Sequence, residues 1–183
     1  MLVSARNNQF QFNFPRTFIP SAIADKYRPY LNRMPGNMIT EPIDFFNYGI
    51  QSLNLPGPSF DPVEQLDYES VTRKYRSSFP TQQNYDKTLS ITMNAFDGFI
   101  NYWMAVDLYG YYYESKENQY LPDPVGIQMI DGEGNVLVNC HLKKLLFTSI
   151  GALDLNFSSN TIEFQTFDLT FTYDYLDINV NLV

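Results

Sequence analysis

A chain of 183 residues, 44% of them apolar and only 17% charged, is long enough to build one packed domain and too apolar to be disordered throughout. Twenty acidic residues against twelve basic ones leave a net charge of −8, which argues against a protein that grips nucleic acid through a basic surface. The lone cysteine, Cys140, excludes an internal disulfide framework and any cysteine-cluster metal site.

No stretch approaches the roughly 20 apolar residues that a membrane-spanning helix needs, so no membrane-spanning segment is expected. Met1–Arg6 is not followed by an apolar run, and no secretory leader is expected either. The unusual entry is the aromatics: 15 Phe, 14 Tyr and one Trp. Such residues favour pleated, half-buried surfaces, and Tyr favours contacts that are apolar on one side and hydrogen-bonded on the other. The composition therefore predicts a mainly β protein whose surface is partly covered by neighbours. An all-β monomer would share the β-rich part of that signature.

Residues 1–42 read as an N-terminal arm. Phe10–Phe14 alternates as a short strand ended by Pro15, and Ser21–Tyr27 reads as a short helix with Ser21 as its N-cap. Pro29 restarts or kinks that helix, and the frequent prolines forbid a long element. The arm packs on its own domain or docks on a neighbour; the sequence leaves both open. Residues 43–183 form the expected β domain. Ile43–Leu55 is expected as one strand with a bulge near Gly49, broken by Pro56-Gly57-Pro58.

Residues 57–85 are too long for a structureless loop and are expected to project as a hairpin or arm. Its basic cluster Arg73-Lys74-Tyr75-Arg76 suits an acidic neighbour, and equally suits solvent. Lys87–Met93 alternates cleanly, with Leu89, Ile91 and Met93 inward. A helix is expected over 94–108, capped by Asn94 with Asp97 in its first turn, and its core stripe is read as Phe96, Phe99, Ile100, Trp103 and Met104. The tyrosines Tyr111, Tyr112 and Tyr113 beyond it suit an intersubunit contact better than a base-stacking platform, because no basic groove accompanies them.

The last third reads as strands. Val125–Ile130 pairs with Asn135–Leu142 across Asp131-Gly132-Glu133-Gly134, which makes Cys140 a core thiol and places His141 on the other face. Leu153–Phe157 is a further expected strand, followed by a turn at Ser158–Asn160. Thr161–Leu176 is expected as one long strand, slipped in phase at Gln165-Thr166. Its polar face carries Thr166, Asp168, Thr170, Thr172 and Asp174 and is expected to meet water or a lumen. The single histidine and the lack of a nucleophile elbow, a phosphate-binding glycine loop or an EF-hand pattern argue against an enzyme; no catalytic residue, cofactor or metal is assigned.

Three stretches carry a resemblance: Tyr48–Gly57, with its strand and Leu-Pro-Gly break; Tyr85–Leu108, a strand followed by a Trp-containing helix; and Val138–Tyr175, with Leu145–Gly151 and the Thr-rich alternating strand. In order and pattern they resemble the tail tube proteins of tailed bacteriophages, contractile-tail type, and the related baseplate tube initiators. The resemblance implies an antiparallel two-sheet sandwich or barrel with a flanking helix and a projecting hairpin. It also implies homo-hexameric rings stacked into a tube that conducts DNA at ejection, without an active site or sequence-specific DNA binding. The implied partners are further copies of the chain, with sheath, baseplate or tail-terminator proteins. The implied location is the virion tail, assembled in the host cytoplasm. On that reading the 166–174 face lines the lumen, and Arg73–Arg76 with Tyr111–Tyr113 make inter-ring or intersubunit contacts. The long segment 1–42 departs from the family's pattern and leaves repeating tube subunit and once-used initiator or adaptor both open. The alternative is a β-sandwich module that binds carbohydrate or a receptor through Tyr109–Tyr120.

Overall fold

The computed structural model describes residues 9–33, 39, 41–55, 57, 63–66, 72–75, 87–115, 119–153 and 165–181. Its strands are β1 (Phe10–Asn13), β2 (Ile50–Asn54), β3 (Val63–Leu66), β4 (Thr72–Tyr75), β5 (Thr88–Asn94), β6 (Val125–Ile130), β7 (Val136–Lys143), β8 (Leu146–Ile150), β9 (Thr166–Thr172) and β10 (Tyr175–Val180). Its α-helices are α1 (Ser21–Leu31), α2 (Pro42–Tyr48) and α3 (Ile100–Glu114). Two antiparallel four-stranded sheets, β1-β6-β7-β10 and β2-β5-β9-β8, form a sandwich flanked by α3, and β3 pairs with β4 as a separate ribbon. The fold is mainly β.

The N-terminal segment packs on its own domain. Phe12, Phe14, Phe18, Ile23, Tyr27 and Leu31 are all buried in the common core, and β1 extends the first sheet by pairing with β6. Phe14 stacks on Phe18 at 4.3 Å, Phe147 stacks on Phe171 at 4.6 Å, and Phe14 and Phe171 meet at 5.5 Å. Such pairs add roughly 0.5–1.5 kcal/mol each beyond the area they bury. Helix α1 runs through Pro29 to Leu31, and Ser21 is its first helical residue rather than its cap, because the Pro20 carbonyl accepts the Ile23 and Ala24 amides.

Ile43–Leu55 is not one strand. Pro42 sits in the first turn of α2, where its missing N–H costs nothing, and Ile43, Phe45 and Phe46 are buried at helical spacing. Only Ile50–Asn54 is extended. The expected Asn94 cap is also corrected: Asn94 ends β5, and Gly98 and Phe99 adopt positive φ of 67° and 55° before α3 begins at Ile100. That left-handed pair resets the helical phase. The buried face of α3 is therefore Asn101, Met104, Ala105, Leu108 and Tyr112; Phe96, Phe99 and Ile100 are half-buried, and Trp103 is 53% exposed. The helix also continues past Leu108, through Gly110 and the tyrosines.

Asn101 is fully buried and joins the helix to the strand: its Nδ2 donates to the Asn94 carbonyl at 2.6 Å, and its Oδ1 accepts from the Phe96 N–H at 3.0 Å. Asn101→Ala strands both backbone groups and is expected to lower the unfolding free energy by about 2–4 kcal/mol in a urea titration. A loss below about 0.5 kcal/mol would contradict this role.

The expected last strand is two strands in different sheets. Strand β9 pairs with β5 and β8, the chain crosses at Tyr173-Asp174, and β10 pairs with β7. Tyr173 is buried at the crossing, where its N–H donates to the Lys87 carbonyl. The expected Leu153–Phe157 strand lies outside the described residues from 154 onward, as do the Ser158–Asn160 turn and the start of the last strand at 161–164.

Candidate assembly surface

The β3–β4 ribbon stands where a projecting hairpin is expected. Its register puts Glu64 opposite Lys74 and Gln65 opposite Arg73. Side chains alternate along a strand, so Gln65, Arg73 and Tyr75 share one face, and Glu64, Lys74, Leu66 and Thr72 share the other. Glu64 and Lys74 form an ion pair at 3.1 Å. Leu66 is 72% exposed, and Tyr75 is exposed as well. An isolated two-stranded ribbon is marginal in water. Arg76 lies outside the described residues.

The outward face of the second sheet is a field of hydroxyls. Cross-strand rows run Asn54–Ser90–Thr170–Ser149 and Ser52–Thr92–Asp168, with Thr88–Thr172 and Asn94–Thr166 to either side. Asp168 is the carboxylate within these rows, and Thr92 Oγ1 donates to its Oδ1 at 2.8 Å. Thr166, Asp168, Thr170 and Thr172 thus share a surface. Asp174 does not: it lies in the crossing between sheets, 3.8 Å from Lys144 Nζ, and its carbonyl accepts from Lys87 Nζ.

The tyrosine row is divided. Tyr112 turns inward, its hydroxyl donating to the Phe18 carbonyl at 2.8 Å, and burial pushes its phenol well above the ordinary value. Tyr111 and Tyr113 are exposed, and Tyr113 stacks on Tyr109 at 6.0 Å. These three tyrosines therefore do not present a common stacking platform. Cys140 is buried among apolar residues, which raises its thiol pKa. His141 sits on the outward face of the first sheet, opposite Asp177. Among the described residues no cluster of His, Cys, Asp and Glu could hold a metal ion.

A surface that sequence reading missed lies at one end of the first sheet. The register aligns Ile178 with Cys140, Ile127 and Phe12, and Val180 with Val138, Met129 and Phe10. Cys140, Ile127 and Phe12 are buried, so these rows belong to the core-facing side. Yet Ile178 is 55% and Val180 60% exposed, and Met129 is exposed too. On this face of β10, Leu176 packs against the core while Ile178 and Val180 are exposed, and β10 is the outermost strand of its sheet.

No protein-family model matches the sequence, and no curated protein matches it. Among solved structures, the chain is similar to one described as the PVC sheath/tube terminator of an extracellular contractile injection system, at 16% identity and a TM-score of 0.49, over 72% of this chain and 85% of that one. It is similar to the tube-terminating cap of the anti-feeding prophage at 18% identity and a TM-score of 0.49, over 72% and 80% of the two chains. A third similarity, to the PVC sheath-tube complex, has 14% identity and a TM-score of 0.46, over 72% and 81%.

Proposed function

We propose that this protein is a structural subunit of a tail tube: six copies close a ring, rings stack, and the channel conducts DNA at ejection. The observation that carries the proposal is the unfinished first sheet. Core-facing Ile178 and Val180 lie open on an outermost strand, and such apolar positions are stable in water when another subunit completes the layer. The exposed β3–β4 ribbon, marginal in water as a separate two-stranded unit, serves the same reading as an intersubunit contact, together with Arg73, Lys74, Tyr75 and the exposed Tyr111 and Tyr113. The protein acts without catalysis or a cofactor, inside the virion tail, after assembly in the host cytoplasm. It meets further copies of itself and the sheath, baseplate or terminator components at the tube's wall and ends.

The hydroxyl face of the second sheet is assigned to the lumen. A conduit must not hold its cargo: cations there would bind phosphates, whereas hydroxyls and Asp168 leave DNA free to slide. Asp168→Lys in a tail that still assembles is expected to slow DNA ejection at least several-fold, read by dye release from triggered particles. Asp174→Lys, off that face, is the matched control and should eject at the normal rate. Unchanged ejection by the Asp168→Lys particle would contradict the lumen assignment.

A further inference from the structure

A cleft of about 600 Å³ opens between the end of β1, the turn Arg16–Phe18 and helix α2. The helix supplies one wall because Ile43, Asp44, Asn47 and Tyr48 recur at helical spacing and share a side. Phe14 and Ile43, both buried, give the cleft an apolar floor. Tyr48 is 72% exposed although its ring stacks on Phe96 at 5.8 Å, so one face is braced and the other is open. Asn47 is held in place: its Oδ1 accepts the Phe14 N–H at 2.9 Å and its Nδ2 donates to the Phe14 carbonyl at 3.3 Å. One amide proton of Asn47 is left over. Arg16 and Asp44 come from opposite walls and are exposed; their side chains have no ion-pair or hydrogen-bond partner among the described residues.

These contacts discriminate between occupants. An extended peptide cannot add as a strand at this point, because Asn47 already takes both backbone groups of Phe14. A phosphate or another anion meets one cation set against one carboxylate, with no net attraction. A neutral polyol suits the walls, since each hydroxyl can donate to Asp44 and accept from Arg16 or Asn47. The C–H face of a sugar ring is apolar and suits the open face of Tyr48. The volume lies within the range of small-ligand clefts. We infer that this cleft binds a neutral mono- or disaccharide, with Tyr48 as the stacking platform and Asp44, Arg16 and Asn47 as the hydroxyl partners. The site is separate from the divided tyrosine row of α3 and does not depend on the tube reading.

The test titrates the full chain with methyl glucoside, methyl galactoside, N-acetylglucosamine, cellobiose and chitobiose, read by saturation-transfer NMR and calorimetry. Each titration is repeated with Ile178→Lys and Val180→Lys in place, which removes the β10 contact and keeps self-association from covering the cleft. At least one of these sugars is expected to saturate a single site. Tyr48→Ala and Asp44→Asn should each weaken it at least about tenfold. Both positions are exposed, so neither variant should melt earlier than its parent chain. Tyr113→Ala should leave the affinity unchanged, and adenosine and inorganic phosphate should not compete. No binding by any of the five sugars, an affinity unchanged in either cleft variant, or displacement by adenosine or phosphate overturns the assignment. Association of the wild type reads the tube and titration reads the cleft, so each can fail without the other.

Discussion

Phe171→Ala lowers the unfolding free energy by about 3–5 kcal/mol, whereas Trp103→Ala costs less than about 1 kcal/mol. Phe171 is fully buried on β9, stacked on Phe147, tilted against Phe14 and edge-packed against Phe18, so its loss removes contacts to β8, to the N-terminal segment and to the turn before α1 together. Removing a ring of that size leaves a cavity that the surrounding rings, held by one another, cannot close. Trp103 occupies the stripe that hydrophobic spacing assigns to the core, but its ring is half in solvent and packs edge-on against Tyr102. Paired urea titrations of the monomer decide between the two phases of α3. Equal losses for the two variants would restore the sequence-read phase and contradict the structure.

Ile178→Lys combined with Val180→Lys is expected to abolish assembly while leaving the monomer folded. Both side chains are already exposed in the single chain, so lysines there cost the fold little; each stays within the range of ordinary surface changes, about 0.5 kcal/mol. In an assembly that completes the sheet, the same lysines would be buried charges without partners, and they also block strand addition along β10. A loss of association of at least about a hundredfold is expected, corresponding to about 2.7 kcal/mol. Mass photometry at matched concentrations reads it. Normal assembly by the doubly substituted chain would mean that this end of the sheet faces solvent in the working form.

Some of this architecture is legible in the residues because a local signal and a burial demand coincide. Strand β5 alternates with Leu89, Ile91 and Met93 fully buried, so period two is written on a strand with one covered face. The β6–β7 hairpin is legible in its turn: Asp131 Oδ1 accepts the Glu133 and Asn135 amides at 2.8 Å each, and Gly134 takes a φ of 93°. The β3–β4 ribbon is likewise legible from the length of its segment. Other features are not. Ile43–Tyr48 contains adjacent phenylalanines whose spacing fits a strand or a helical turn, and only the proline at its start separates the two. Tyr173 keeps the phase of Leu169 and Phe171, so alternation continues unbroken across the change of sheet; it encodes inward and outward but not which sheet. The rotation of α3 depends on the left-handed Gly98-Phe99 pair, and aromatic residues on every side of the helix supply no contrast to correct it. The exposed end of β10 has no sequence signature, since Ile178 and Val180 share the register of core residues and only their exposure distinguishes them.

The central claim is self-assembly into a hollow tube, and electron microscopy of the purified protein across a concentration series, in negative stain, tests it most directly. The account predicts rings with sixfold symmetry that lengthen into hollow stacks as concentration rises, with the second sheet's hydroxyl face lining the channel. Monomers at every concentration, still single after a baseplate extract is added to nucleate growth, would contradict it.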